Sequence, residues 1–103
     1  MIVYEVNLLV QRKIESEYRT WLASHIREIL TLPGFLGAEV FERIEPATGP
    51  DEFALCVHYQ LRDDAALAIY FEQHAPRLRA DGVARFGDGF RAERRVLRPS
   101  ATY

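Results

Sequence analysis

The chain has 103 residues and a formal net charge of −2, and 49% of its residues are hydrophobic, 12% aromatic and 27% charged. This length suffices for one domain, and the composition is typical of a globular fold. The slight negative charge disfavours nucleic-acid binding, which needs a basic surface. No apolar run approaches the roughly 20 residues of a membrane-spanning helix. Because the start lacks the features of a secretory signal and Cys56 is the single cysteine, the sequence predicts a cytoplasmic protein.

The first strand and the first helix are predicted by a change of hydrophobic period. Residues 2–10, IVYEVNLLV, are rich in β-branched and aromatic side chains, which is typical of a strand. From about residue 12 the apolar positions recur at three- and four-residue steps, which predicts an amphipathic helix. Its apolar stripe comprises Ile14, Tyr18, Trp21, Leu22, Ile26 and Ile29. Leu32-Pro33-Gly34 ends the helix, because proline cannot continue its hydrogen-bond ladder.

The second half of the chain repeats the alternation of strands and helices. Residues 35–45 and 52–61 predict two strands joined by a turn-rich connection. Asp63 or Asp64 caps the next helix, which places Leu67, Tyr70, Phe71 and His74 on one side. Pro76 interrupts this helix or opens a further helical segment, with Leu78, Val83 and Phe86 facing inward. Residues 90–98 predict a last strand, and 99–103 a frayed tail.

The order of elements, βαββαβ, predicts a ferredoxin-like α+β fold in a single domain over residues 1–98. In this fold two main helices cover one face of a four-stranded antiparallel sheet, and the first and third strands are central neighbours. The bulky faces of these strands should meet the helices. Their other faces carry small, apolar and polar residues, namely Val3, Glu5, Asn7, Leu9, Ala54, Cys56, His58 and Gln60. This mixed face is too apolar for a free surface, so we expect a homodimer formed sheet to sheet.

Several stretches resemble a known family. WLASHIREILTLPGFLGAEVF, residues 21–41, resembles the first helix and the helix-to-strand turn of dimeric α/β-barrel proteins. CVHY (56–59) and YFEQHAPRLRADGVARFG (70–87) resemble an uncharacterised bacterial branch of that superfamily, a domain of unknown function, and FRAERRVL (90–97) fits its last strand. The resemblance implies a dimeric α/β barrel that is distantly similar to antibiotic-biosynthesis monooxygenases.

The haem-degrading branch of the same superfamily implies a third possibility. That branch uses an asparagine on its first strand, a tryptophan on its third strand and a histidine on its second helix. This chain offers Asn7 and His74 in corresponding places, but its third strand carries His58 and Tyr59, and its single tryptophan is Trp21 on the first helix. The incomplete triad disfavours haem binding.

Two histidines are candidates for ligand contact or proton transfer. His25 follows Trp21 by four residues, so both rings lie on one helical face. Its alternative role is that of a boundary histidine packed on Trp21. His74 either contributes in the same way or satisfies a free carbonyl at the helix end. Trp21 and Tyr70 either pack in the core or line an aromatic pocket.

No constellation in the sequence defines a reaction. There is no nucleophile elbow, phosphate-binding loop or paired-cysteine pattern, and His58 with Cys56 is too small a set for a metal site. We therefore expect neither a metal nor a cofactor, and the residues leave open whether the protein is an enzyme. The favoured hypothesis is a protein that binds a small, planar organic molecule in a helix–sheet cleft, with cofactor-independent monooxygenase-like activity. The alternative is a non-catalytic homodimeric module.

Overall fold

The computed structural model describes all 103 residues. Its elements in chain order are β1 (Ile2–Gln11), a 3-10 turn (Arg12–Ile14), α1 (Glu15–Ile29), β2 (Phe35–Glu42), β3 (Glu52–Leu61), α2 (Asp64–Gln73), α3 (Ala75–Phe86), a 3-10 turn (Gly87–Gly89) and β4 (Phe90–Leu97). This order confirms the predicted βαββαβ arrangement. Residues 98–103 form no regular structure.

The four strands form one antiparallel sheet in the order β2-β3-β1-β4, so the first and third strands are central as predicted. β1 and β3 pair over their whole length, from Ile2 opposite Leu61 to Gln11 opposite Glu52. Because side chains alternate between the two faces of a strand, this register places the bulky residues of both strands on one face. A register irregularity between Phe35 and Gly37 interrupts the pairing of β2 with β3.

All three helices cover that bulky face, and the hydrophobic core lies between them and the sheet. The core contains 17 buried residues, among them Tyr4, Tyr18, Phe53, Val57 and Tyr59. The thinnest dimension of the molecule, measured over Cα atoms, is 17 Å. This thickness corresponds to one helix layer on one sheet, so the second face of the sheet has no cover within the chain.

The second helical region consists of two helices. Asp63 begins α2 by accepting a hydrogen bond from the Ala66 amide at 2.9 Å, as the sequence predicts. The backbone leaves the helical region at His74, and Pro76 lies in the first turn of α3. The expectation that Val83 faces inward is wrong, because it is 58% exposed. The inward positions of α3 are Ala75, Leu78 and Gly82, and Val83 lies one residue round the helix from them.

No helix combines the length and the apolar character that crossing a membrane requires.

Candidate functional site

An aromatic cleft lies between the sheet and the helices α1 and α3. Twelve of its 16 lining residues are hydrophobic, and its water-accessible space is about 40 Å³. With its open mouth included, the unfilled space between the lining atoms is about 470 Å³. The enclosed part has room for about three water molecules. The lining residues are Tyr4, Val6, Leu8, Tyr18, Trp21, Leu22, His25, Ile29, Val57, Tyr59, Tyr70, Leu78, Arg79, Gly82, Phe90 and Arg94.

His25 and Trp21 stack on the inner side of α1. Their ring centroids are 4.5 Å apart and their planes differ by 23°, because residues four apart lie above one another on a helix. The indole Nε1 donates a hydrogen bond to the Asp81 carboxylate on α3 at 2.9 Å. Gly82 admits the indole against α3, since a Cβ atom at this position would lie 2.9 Å from the Trp21 ring. The pair is therefore fixed between two helices.

The pKa of His25 is lowered, and the largest cause is burial, which disfavours the charged imidazolium. The carboxylates of Glu28 and Asp81 act in the opposite direction, and the charge of Arg94 lowers the pKa further. The ring is therefore neutral at neutral pH and can accept a proton from a molecule in the cleft.

Tyrosines supply the polar groups of the cleft. The Tyr4 hydroxyl accepts a hydrogen bond from Arg79 Nη2 at 3.1 Å. The hydroxyls of Tyr18, Tyr59 and Tyr70 form no hydrogen bond with another protein group. Every side-chain nitrogen or oxygen atom that is inaccessible to solvent does have such a partner. Each hydroxyl must therefore face accessible space. Burial raises the pKa of Tyr18 and Tyr59 well above the ordinary range and that of Tyr70 to about 12, so all three remain neutral phenols.

Three of the predicted site residues meet at this cleft, namely His25, Trp21 and Tyr70. His74 lies at the junction of α2 and α3 and is not among the lining residues. Asn7 lies on the opposite face of the sheet, where its amide donates to Glu5 Oε1 at 2.7 Å. The structure thus does not bring Asn7 and His74 together, and the pairing on which haem binding depended has no geometric basis here.

Arg79 and Arg94 are cleft residues that the sequence interpretation missed. Arg94 could have been found from the alternation of side chains along β4. Arg94 lies opposite Val6 of β1, so its side chain is on the helix-facing side of the sheet. Arg79 had no comparable signal, because its approach to the Tyr4 hydroxyl depends on how α3 packs across the sheet.

The face of the sheet away from the helices, here called the open sheet face, holds the buried carboxylate of Glu5, which pairs with the exposed Arg95. Glu5 is 4% exposed. One of its oxygens accepts from Arg95 Nε at 2.6 Å, and the other pairs with His58 Nε2 at 2.8 Å. The Arg95 hydrogen bond is the largest cause that lowers the pKa of Glu5 to about 2, with the Asn7 and His58 bonds adding to it against the opposing effect of burial.

Three groups that could hold a metal lie together on this face. Ligand atoms of Glu5, Cys56 and His58 are all within 4.8 Å of one another. Both carboxylate oxygens of Glu5 are already engaged by protein groups. Burial raises the pKa of the Cys56 thiol, which keeps it protonated and a poor ligand. The cluster is therefore better described as a buried ion pair than as a metal centre.

The sheet order and the helix layer define a ferredoxin-like α+β fold. The chain belongs to the family DUF4286, a domain of unknown function, which it matches over residues 1–100. No curated protein matches the chain.

Solved structures share the fold at low sequence identity. A proposed antibiotic biosynthesis monooxygenase from Deinococcus radiodurans superposes with a TM-score of 0.75 at 10% identity, covering 100% of this chain and 96% of that one. SnoaB, a cofactor-independent oxygenase from Streptomyces nogalater, gives 0.69 at 15% identity, covering 98% and 95%. The de novo designed protein Foldit4 gives 0.66 at 17% identity, covering 96% and 98%. Since a designed protein has the same fold as an oxygenase, these similarities establish the fold alone.

Proposed function

We propose that the aromatic cleft binds a small, planar organic molecule and that the protein oxygenates it without a cofactor. The observation that carries this proposal is the neutral His25 stacked on Trp21 at an accessible space lined by aromatic rings. Apolar walls with a few convergent polar groups are the usual composition of a small-molecule site. The oxygenase fold of SnoaB adds support.

The proposed reaction uses no cofactor, and this determines its chemistry. An oxygenase without a cofactor must draw electrons from the substrate, which has to be a carbon acid with a delocalised anion. His25 takes one proton from an activated CH2 group, and the carbanion reduces dioxygen and bonds to it. The resulting hydroperoxide loses water, with the second hydrogen of the CH2 group and the proton from His25 leaving in that water. The net reaction, CH2 plus O2 to C=O plus H2O, balances.

The dimensions of the cleft limit how a substrate enters. The water-accessible space of about 40 Å³ in this open cleft suffices for a diatomic molecule such as dioxygen. An aromatic ring enters with rotation of rim side chains, of which Arg94 is exposed and makes no side-chain hydrogen bond or ion pair.

A homodimer is the second part of the proposal. The open sheet face carries the buried Glu5 cluster together with apolar side chains, of which Phe41 is 45% exposed. A second copy of the same face would cover these groups, in keeping with the two-fold symmetry of most oligomers. The dimer also supports the alternative function, a non-catalytic homodimeric module, which the small enclosed volume of the cleft favours.

Oxygen uptake in the presence of anthrone tests the catalytic proposal, because the CH2 group of this probe lies between two aromatic rings. We expect the protein to accelerate uptake above the uncatalysed rate. Loss of the general base in His25→Gln should lower the acceleration by about 100-fold or more. His74→Gln is the matched control, since His74 does not line the cleft, and it should retain the wild-type rate.

Two results would contradict the proposal. An equal loss in both histidine variants would show that His25 has no special role. No acceleration by the wild type, with no shift of the Trp21 indole N–H resonance on adding anthrone, would favour the non-catalytic dimer.

A further inference from the structure

We infer that the cleft selects planar aromatic compounds that carry one carboxylate, and that Arg94 and Arg79 bind this group at the rim. The inference rests on the proposed function, because it names the class of ligand for the same cleft.

Arg94 projects over the cleft without a partner. Its register opposite Val6 places it on the helix-facing side of β4. Seven arginines of the chain pair with carboxylates, including its neighbour Arg95, but Arg94 makes neither an ion pair nor a side-chain hydrogen bond. Its charge reaches His25, Tyr18, Tyr59 and Tyr70, which surround the cleft. The guanidinium therefore lies at the rim of the cleft with its donors free.

Arg79 provides a second cation on the other side of the rim. Its Nη2 donates to the Tyr4 hydroxyl, and its guanidinium lies 5.7 Å from the centroid of the Phe71 ring. Neither contact neutralises its charge. Because α3 carries Arg79 and β4 carries Arg94, the two guanidiniums approach the cleft from separate elements.

No acidic residue lines the cleft or pairs with either arginine. The 16 lining residues include two arginines and no acidic residue. The acidic groups that influence His25 are Glu28 and Asp81. Glu28 pairs with Arg77, whereas Asp81 pairs with Arg85 and accepts the indole hydrogen bond of Trp21, so neither forms an ion pair with Arg79 or Arg94. Two guanidinium groups at the rim of an apolar cleft are suited to binding an oxyanion. The planar guanidinium can form two parallel hydrogen bonds with one carboxylate.

The tyrosine hydroxyls complete the anion site. Tyr18, Tyr59 and Tyr70 line the cleft with free hydroxyls. Since burial keeps them protonated, each can donate a hydrogen bond to a carboxylate oxygen, and none can repel it by ionising. An aromatic ring attached to the carboxylate would lie against the same tyrosines and Trp21.

A matched pair of ligands tests the inference. We would titrate the protein with 2-naphthoate and with its uncharged amide, 2-naphthamide, and follow the single indole N–H resonance of Trp21. Naphthoate should bind at least about tenfold more tightly, as expected for one charge-assisted bidentate contact. Arg94→Gln should abolish this preference by weakening naphthoate binding and leaving naphthamide binding unchanged. Arg27→Gln is the control, because it removes the same charge from an exposed position of α1 outside the cleft.

The outcomes separate this inference from the proposed function. If both compounds bind with equal affinity, the cleft is a ligand site and the carboxylate preference is wrong. Equal losses in Arg94→Gln and Arg27→Gln would attribute the preference to net charge and would also overturn the inference. If neither compound shifts the Trp21 resonance, the cleft is not a site for planar aromatic ligands, and the proposed function fails together with the inference. Arg79→Gln gives an independent second variant, which should show a smaller loss of the same sign.

Discussion

Glu5 holds a negative charge on a sheet face that no helix covers. Its carboxylate is 4% exposed and is stabilised mainly by Arg95, which lowers its pKa from 4.5 to about 2. We expect Glu5→Gln to reduce the free energy of unfolding at pH 7 by about 2 kcal/mol, since a pKa unit corresponds to ~1.4 kcal/mol and the exposed Arg95 weakens the pair by screening. Urea denaturation at a fixed protein concentration measures this difference.

The difference should also depend on pH. The folded chain holds Glu5 ionised down to about pH 2, whereas in the unfolded chain it takes up a proton near pH 4.5. The stabilisation is therefore complete above pH 4.5, falls as the pH drops through this window, and is lost below about pH 2. Glu93→Gln is the matched control on the same face, because Glu93 forms no ion pair. A constant difference between Glu5→Gln and wild type from pH 7 to pH 2 would contradict the assignment.

The position of a side chain was predictable where the periodicity of a single helix or strand determined it. The stacking of His25 on Trp21 follows from four-residue spacing. The start of the next apolar helix limited the cap to Asp63 or Asp64, and the structure shows that Asp63 accepts the hydrogen bond. Arg79 was not predictable, because its role depends on the angle between α3 and the sheet. The distance between Asn7 and His74 likewise depends on which side of the sheet the helices pack.

The turn between α1 and β2 depends on a glycine. Gly34 has φ +87°, and a Cβ atom there would lie 2.3 Å from Ala66 Cβ. Its carbonyl accepts from the Arg62 amide at 2.8 Å, so the turn cannot move away without losing this bond. We expect Gly34→Ala to destabilise the fold by about 2 kcal/mol or more, through backbone strain and overlap with α2. Thermal and urea unfolding measure the loss.

A second glycine gives the comparison. Gly49→Ala should change stability by less than about 0.5 kcal/mol, because its nearest neighbour atom beyond the adjacent residues, Glu52 Oε1, is 4.0 Å away from a Cβ. Equal effects of the two substitutions would show that the turn at Gly34 tolerates a side chain.

At the scale of elements, strands were easier to predict than helix interiors. β3 has the predicted bounds, and β2 ends at Glu42, before the predicted residue 45. In α3 the inward positions include Gly82, whose missing side chain admits Trp21, so a hydrophobic pattern cannot identify that position. This is why Val83, an apolar residue beside it, was wrongly expected in the core.

The architecture of the whole molecule was predictable because it depends on two simple facts. The order of elements selects the βαββαβ topology, and the alternation of β1 and β3 shows which face the helices cover. The volume of the cleft was not predictable, since it is the small difference between the size of many side chains and the space between the layers. Whether a second chain covers the open sheet face is tested by measuring the oligomeric state.

A charged residue introduced on the open sheet face should cause the proposed dimer to dissociate into monomers. Ala54 lies on this face, opposite Leu9 of β1, so a glutamate there would place a charge between the two sheets. An unpaired buried charge costs about 3–5 kcal/mol, which raises the dissociation constant by more than about 100-fold. Light scattering over a range of concentrations should show a dimer for the wild type and a monomer for Ala54→Glu, with circular dichroism confirming that the monomer is folded.

Two further variants decide the interpretation. Val3→Glu changes a second position of the open sheet face and should also give a monomer, whereas Ala84→Glu adds the same charge on the exposed side of α3 and should remain dimeric. If Ala54→Glu and Val3→Glu both stay dimeric, the interface lies elsewhere. A monomeric wild type would mean that Phe41 and the other exposed side chains of the open sheet face remain in contact with solvent, and it would overturn the proposed dimer.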